Sequence, residues 1–412
     1  MAKRGHIIIG LDIGNTAIKA AAIEIGGNLE KPQVVGVGIA PTSGLRRGEV
    51  VDKEEITKGI GDALNQIRQS AGVPTKRVYV NISGPSVRTQ VSRGVIAVSR
   101  ADNQISESDV QRVIEAASAI SLPLNREILH IIPRNYVIDG QESTKDPIGM
   151  SGVRLEAEVL IIDGLAPTIH NLAKCILAND VEVAEFVFSP LASSKAVLDK
   201  RSKEHGAMIL DFGGGVSNLA VFEEGDLIYT SVIPIGSNHI TNDLAIALRT
   251  TLDVAEQIKL EYGSIGGVFK KDQIDLSELM GEEATAVSKK QIGEVVQART
   301  AELMEMTTKE LKKINKFSLL PGGAVLAGGG SKLPGFLNLA KEELKLPVRF
   351  GSIKEIDGVV NRVEDPSFTT AIGLAMWGMD REFTENERQS RMPSSVSGIF
   401  GKIKKIFKVF IP

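Results

Sequence analysis

Two aspartates and the glycines behind them carry the most definite chemistry in this chain. Ile209-Leu210-Asp211-Phe212-Gly213-Gly214-Gly215-Val216-Ser217-Asn218 reads as an apolar strand that ends in a carboxylate and runs into three glycines. Glycine has no Cβ, so the backbone can turn sharply and approach a ligand, and successive N–H groups in such a turn can form a concave anion site. A carboxylate beside a phosphate is repelled unless a cation lies between them. The arrangement therefore points to a phosphate on the glycine N–H groups, with Mg²⁺ bridging to Asp211 through water. The plain alternative is a tight hairpin with an incidental aspartate. The same device stands near the start, in Ile7-Ile8-Ile9-Gly10-Leu11-Asp12-Ile13-Gly14-Asn15-Thr16. There Thr16 offers a hydroxyl and Lys19 a charge, although Lys19 also suits an exposed strand position. Two copies, each near the start of a half-chain, imply two similar subdomains facing one nucleotide. A third cluster, Ala324-Val325-Leu326-Ala327-Gly328-Gly329-Gly330-Ser331, again opens a buried strand into glycines and would let backbone lie against a base or ribose. No GxxxxGK[ST] pattern occurs, which excludes a P-loop protein.

The elements that must hold these turns are legible. Met208-Ile209-Leu210 suits a strand covered on both faces. Ile7–Ile25 reads as two strands joined by the Asp12 turn. Lys53–Ser70 reads as a helix with Ile56, Ile60, Ala63, Leu64 and Ile67 on one stripe. Arg77–Ile82 is a strand that Ser83-Gly84-Pro85 breaks. Val87–Asp163 behaves as an α+β insertion, with Ser106 and Asp109 approximating a capping box. Ala166–Ala178 is a helix, Glu182–Phe188 a strand, and Ser189-Pro190 opens a helix connecting the halves. Leu219–Phe222 and Leu227–Ile233 form a hairpin, and Pro234-Ile235-Gly236-Ser237 can close over a nucleotide or be a simple turn. In Asp253–Tyr262, Glu256 and Lys259 share one helical face, either to bracket a ribose and adenine or as an exposed ion pair. Lys271–Thr285 is polar, a small strand or loop region. Ser288–Lys316 is a long helix with Ile292, Val295, Val296, Leu303, Met306 and Leu311 as its core stripe.

Bulk properties are compatible with this plan. At 412 residues the chain needs two or more subdomains. A net charge of −3 argues against nucleic acid as a partner. The single cysteine, Cys175, excludes an internal disulfide and reads as a buried, inert thiol. Lys3 and Arg4 precede an apolar run too short for a signal peptide, and no stretch reaches the ~20 apolar residues that span a bilayer.

The three glycine motifs, in this order, resemble the actin, heat-shock chaperone and sugar kinase superfamily. Met150-Ser151-Gly152-Val153-Arg154-Leu155-Glu156, Ala255-Glu256-Gln257-Ile258-Lys259 and Asp365-Pro366-Ser367-Phe368-Thr369-Thr370-Ala371-Ile372-Gly373-Leu374-Ala375 sharpen this. They resemble, over nearly the whole chain, FtsA, the family of bacterial cell-division actin homologues. The resemblance implies an actin-like α/β fold: two duplicated halves around a nucleotide cleft, an inserted α+β subdomain and a C-terminal amphipathic helix. It implies subdomain 1A at 1–84, 163–198 and 356–385, the insertion 1C at 85–162, 2A at 199–228 and 301–355, 2B at 229–300, a linker at 386–397 and the terminal helix at 398–412. It implies ATP with Mg²⁺. Asp12 and Asp211 would hold the metal, and Gly14, Asn15, Thr16, Lys19, Gly213, Gly214 and Gly215 would stand around the phosphates. Glu256, Lys259, Gly328, Gly329 and Gly330 would stand around the adenosine. If Ala196-Val197-Leu198 aligns with the comparable run of actin, Lys195 stands where actin has its water-positioning Gln, which puts fast hydrolysis in doubt. Implied partners are further copies of the chain in a filament, other division proteins through 1C, and the acidic C-terminal peptide of the division tubulin FtsZ. For that peptide Arg299, read as exposed, is a candidate anchor in 2B; the plain alternative is a solvated arginine with no partner role.

The tail adds a second chemistry. After a polar, serine-containing Asn386–Ser397, the last residues place Ile399, Phe400, Ile403, Ile406, Phe407 and Phe410 on one helical face and Lys402, Lys404, Lys405 and Lys408 on the other. That pattern suits a helix lying in an anionic membrane interface; the alternative is a helix docked on the protein's own core. Four lysines at about 1 kcal/mol each give roughly 4 kcal/mol, a reversible anchor that polymerisation would multiply. With the resemblance, this places the protein on the cytoplasmic face of the cell membrane at the septum. Two other classes share the loops. A small-molecule or sugar kinase needs a carboxylate base and has no use for a cationic tail. The pilus-assembly homologue PilM is expected to lack such a tail. MreB commonly carries its membrane device near the N-terminus.

Overall fold

The computed structural model describes residues 5–27, 29, 31–267, 273–274, 287–353, 356–358 and 364–391. The first half comprises β1 (His6–Ile13), β2 (Ala17–Ile25), β3 (Gln33–Pro41), β4 (Leu45–Arg46), β5 (Glu49–Val50), α1 (Lys53–Ala71), β6 (Arg77–Ile82), β7 (Arg88–Ala97), α2 (Glu107–Ser118), β8 (Arg126–Ile138), β9 (Glu142–Thr144), β10 (Arg154–Leu165), α3 (Ala166–Leu177), β11 (Glu182–Phe188), α4 (Ser189–Val197) and α5 (Lys200–Glu204). The second comprises β12 (Ala207–Phe212), β13 (Ser217–Glu223), β14 (Asp226–Ile233), α6 (Ser237–Leu248), α7 (Leu252–Tyr262), β15 (Gln273–Ile274), β16 (Val287–Ser288), α8 (Lys289–Lys313), β17 (Gly323–Ala327), α9 (Phe336–Leu344), β18 (Val348–Phe350), β19 (Asp357–Gly358) and α10 (Thr369–Arg391).

Two sheets follow one plan. The first runs β11-β6-β1-β2-β3-β19 and the second β14-β13-β12-β17-β18. In each, an antiparallel hairpin gains a third antiparallel strand on one side and two parallel strands on the other. The parallel strands read as unbroken apolar runs because both faces are covered: all of β12 is buried. Helices α1 and α3 cover the outer face of the first sheet, α4 and α10 lie between the sheets, and α6 to α9 cover the outer face of the second.

Helix α1 shows how local signals set such a layer. Asp52 caps its start by accepting from Glu55 N–H, Gly72 ends it with a left-handed φ of 64°, and Ile56, Ile60, Ala63, Leu64 and Ile67 are buried. Helix α8 buries Ile292, Val296, Leu303 and Leu311, with Val295 and Met306 packed at the margin. Cys175 is buried on α3. Asn386, the expected start of the linker, is still helical: α10 continues to Arg391. Glu387, Arg388 and Gln389 are good helix formers, so a polar composition does not break the helix there. The remaining linker, the whole cationic tail and nearly all of Lys271–Thr285 lie outside the described residues.

The insertion is a four-stranded sheet in the order β7-β10-β8-β9, with α2 packed on it and a core of its own. Ser106 and Asp109 form the capping box at the start of α2. At its root the buried Arg126 guanidinium pairs with the buried Asp163 and donates to Ser86 O at 2.9 Å and Asp163 O at 3.2 Å. One side chain thus ties the point where the chain enters the insertion to the point where it leaves. Replacing Arg126 by Met strands a buried carboxylate and two carbonyls, and is expected to destabilise the protein by about 3–5 kcal/mol in urea melts. Pairing it with Asp163→Leu is expected to recover most of that loss.

Candidate functional site

The duplication carries both aspartates to equivalent places. Asp12 stands opposite Lys19 in the β1–β2 hairpin, and Asp211 stands opposite Asn218 in the β12–β13 hairpin. Both turns close in the same way: Gly14 N–H donates to Ala17 O and Gly213 N–H to Val216 O, each at 3.1 Å. The turns face each other across one cleft, lined among others by Asp12, Gly14, Asn15, Thr16, Lys19, Asp211, Gly213, Gly214, Gly215, Gly328, Gly329 and Gly330. The three glycine motifs therefore meet, although they come from distant parts of the chain.

Contacts are close. A Cβ on Gly215 would lie 2.4 Å from the Asn15 amide, so loop meets loop without room for a side chain. Gly328, at φ 81°, passes beside the second carboxylate: a Cβ there would lie 2.5 Å from Asp211 Oδ1. Helix α6 pins the second turn from its N-terminus, with Ser237 N–H donating to Gly213 O at 2.9 Å and Asn238 N–H to Gly214 O at 2.8 Å. Asn81 holds the first turn by accepting from Ile13 N–H at 2.7 Å. Asn15 donates to Leu45 O at 3.1 Å, which fastens the β4–β5 hairpin to the cleft.

Electrostatically the site is strained in a way that a cation relieves. Burial pushes the Asp12 carboxyl up to about 6; Lys19 opposes this and Asp211 adds to it. Burial likewise raises Asp211, against Thr370, which donates to its Oδ2 at 3.0 Å, and against Lys19 and Ser193. Among the described residues no group of three His, Cys, Asp or Glu is placed to hold a metal. Two carboxylates with open space beside them suit an ion that keeps most of its water, as Mg²⁺ does when phosphates complete its shell.

Some expected residues stand elsewhere. Glu256 and Lys259 do not line the cleft. Lys259 is buried, not exposed, and its ammonium meets Glu256 at 2.6 Å, Thr241 Oγ1 at 3.0 Å and Ser237 O at 3.4 Å. Ser237 does line the cleft, so the pair lies one residue behind it. Arg299, the candidate anchor, is partly exposed and already paired: it donates to Asp243 at 2.8 and 3.0 Å and pairs with Glu302, tying α6 to α8. Lys195 points away from the cleft to Asp380 at 2.6 Å, and the α4 residue lining the cleft is Ser189. Ser237, in the turn expected to close over a nucleotide, is in the lining; sequence reasoning missed Asn81, Ser83, Ser189 and Thr370, also there. Only Asn81 carried a signal, as an amide inside the apolar run Val78-Tyr79-Val80-Asn81-Ile82.

Two duplicated α/β halves, central helices and paired aspartate turns over one cleft define the actin-like class. Solved structures agree in fold: PilM from a PilM–PilN type IV pilus biogenesis complex, with TM-score 0.67 and 17% identity over 90% of this chain and 98% of that one, and MreB5 of Spiroplasma citri bound to ADP, with TM-score 0.54 and 13% identity over 92% and 99%. The family model "Cell division protein FtsA" matches residues 208–373, and the model "SHS2 domain inserted in FTSA" matches 84–163. The cell division protein FtsA of Pseudomonas aeruginosa is 36% identical over 96% of this chain and 93% of its own, and that of Escherichia coli K12 is 30% identical over 95% and 94%. The chain belongs to the FtsA family of cell division proteins.

The raised Asp12 carboxyl gives a pH test. The folded state binds this proton more tightly than the unfolded chain, so the group's contribution is most favourable below about pH 4 and falls as pH rises to about 6. In metal- and nucleotide-free protein, Asp12→Asn is expected to raise stability near pH 7 by about 1–2 kcal/mol, allowing for solvent in the cleft, and the gain should vanish toward pH 4. Urea melts across that range measure it.

Proposed function

We propose that the protein binds Mg-ATP between its halves, polymerises on the cytoplasmic face of the cell membrane and tethers the FtsZ ring there. The observation that carries the nucleotide reading is the pair of matched aspartate turns facing one cleft. In this reading Asp12 and Asp211 hold Mg²⁺ through water. Gly14 and Gly213 spend their N–H groups inside the turns, so Asn15, Thr16, Gly214 and Gly215 meet the phosphates, with Lys19 adding charge. Gly328, Gly329 and Gly330 approach the adenosine, and Lys259 with Glu256 braces that side through Ser237. The insertion meets other division proteins or neighbouring copies. The FtsZ peptide docks on the second half around 229–300, where Arg299 would have to be shared with Asp243 and Glu302. The tail residues Ile399–Pro412 ride an anionic lipid surface; no helix among the described residues is long and apolar enough to cross a membrane.

A phosphoryl-transfer enzyme fits less well. Asp12 and Asp211 are the carboxylates in the described lining of the cleft, and both belong to the metal in this reading. None is left as a base for a substrate hydroxyl. Cosedimentation with anionic liposomes and an FtsZ tail peptide, with and without ATP, tests the proposal. Pelleting is expected to need the tail, to rise with ATP and to fall with salt. Equal pelleting after deletion of Ile399–Pro412 refutes the membrane role, and turnover of a sugar or polyol in a coupled assay would favour the kinase.

A further inference from the structure

Among the described residues, several side chains beyond the facing turns join the two halves, and two such contacts meet on the β13–β14 hairpin. Ser83 Oγ donates to Asn218 Oδ1 at 2.6 Å, and both residues line the cleft. Elsewhere Lys145, in the loop after β9, forms an ion pair with Asp226, the first residue of β14, and its ammonium also donates to Arg134 O at 3.1 Å. Ser83 follows β6 and leads through Gly84 and Pro85 to Ser86, whose carbonyl the Arg126 guanidinium holds at the root of the insertion. Asn218 is the second residue of β13, and Asp226 opens its partner strand β14. The two contacts therefore join the same two bodies, the first half with its insertion and the β13–β14 hairpin of the second.

We infer that they act together as a latch: Ser83 and Asn218 are positioning residues that retain the nucleotide by holding the cleft closed, and Lys145 with Asp226 makes the insertion follow that closure. This rests on the nucleotide reading above. The chemistry suits the task. Asn218 occupies in the second hairpin the register position that Lys19 occupies in the first. An amide there bonds across the interface without adding charge beside the phosphates. A neutral hydroxyl–amide bond exchanges with water at small net cost, so it can open and close. Lys145 and Asp226 are partly exposed, so their attraction is modest and salt-sensitive. Neither contact is strong alone. Because they span the same joint, opening one loosens the other, and the root of the insertion moves with Ser83.

The test is the release of a fluorescent ATP analogue from the full-length protein in the presence of Mg²⁺. Ser83→Ala and Asn218→Ala are each expected to speed release by about fivefold, the scale of one hydrogen bond. The double variant should be no faster than either single one, because one contact is lost. Ser83→Thr should keep the slow rate. Lys145→Glu should also speed release, and Lys145→Glu with Asp226→Lys should restore it, a rescue that local contact with nucleotide cannot produce. Thermal melts of the nucleotide-free variants confirm that they fold. Unchanged rates in the variants, or fully additive effects at Ser83 and Asn218, overturn the latch and leave nucleotide binding standing. Failure of the unsubstituted protein to retain the analogue overturns the nucleotide reading itself and the latch with it.

Discussion

Two carboxylates of like charge, both raised by burial, face one cleft from the matching strands of two copied sheets. Water cannot solvate them fully there, and neither has a full-strength counter-charge, since Lys19 is shared between them. The surroundings are arranged around that unfavourable pair. Glycines bring backbone beside the carboxylates where side chains would clash, α6 caps the second turn with N–H groups, and Thr370 donates to Asp211. In the nucleotide reading proposed above, a divalent cation bound with phosphates would turn the least favourable part of the molecule into a contact between its halves. Folding alone leaves that pair of carboxylates uncompensated, and on that reading the joint would respond to its ligand.

The central layer fixes how the two halves can respond. Helices α4 and α10 pack against both sheets, and α10 carries Thr370 at the cleft and Arg381 further along. Arg381 reaches Glu185 on β11 at 3.4 Å, beside His130 of the insertion, whose Nε2 accepts from Phe188 N–H at 3.0 Å. His130 also lies edge-on to Trp377 of α10. The insertion is thus seated on the same helix that reads the second aspartate. Its root is clamped by Arg126, so it moves as a body more readily than it deforms, in keeping with a close-packed core of its own.

The layered plan was legible because it is written in local patterns. Apolar runs ending at Asp12 and Asp211 gave the strands, glycines gave the turns, and the stripe of α1 with Asp52 and Gly72 gave a helix with both ends. What escaped was whatever depends on which segments fold together. Lys259 has the spacing of a surface ion pair with Glu256, yet packing of α7 against α6 buries it beside Thr241. Arg299 has the look of a solvated arginine, yet Asp243 lies on the adjacent helix. Ser83 and Thr370 are ordinary polar residues in sequence and become cleft residues only because β6 and α10 end there. Long-range pairing has no local signature, and charge alone does not say which opposite charge will be near.

The cleft also bears on what a nucleotide does here. Hydrolysis needs a group to orient or deprotonate the attacking water, and a carboxylate already neutralised by a metal serves poorly. Beyond Asp12, Asp211 and Lys19, the polar side chains of the described lining are neutral: Asn15, Thr16, Asn81, Ser83, Ser189, Asn218, Ser237, Ser367 and Thr370. Lys195, which an alignment with actin would put near the water, is paired with Asp380 on α10. Such a lining is rich in groups that hold phosphate and, beyond the two aspartates, has no carboxylate among its described residues to deprotonate water. It suits a ligand kept in place so that two halves and an insertion remain in register, and a filament built from such subunits would gain its rigidity from binding more than from turnover.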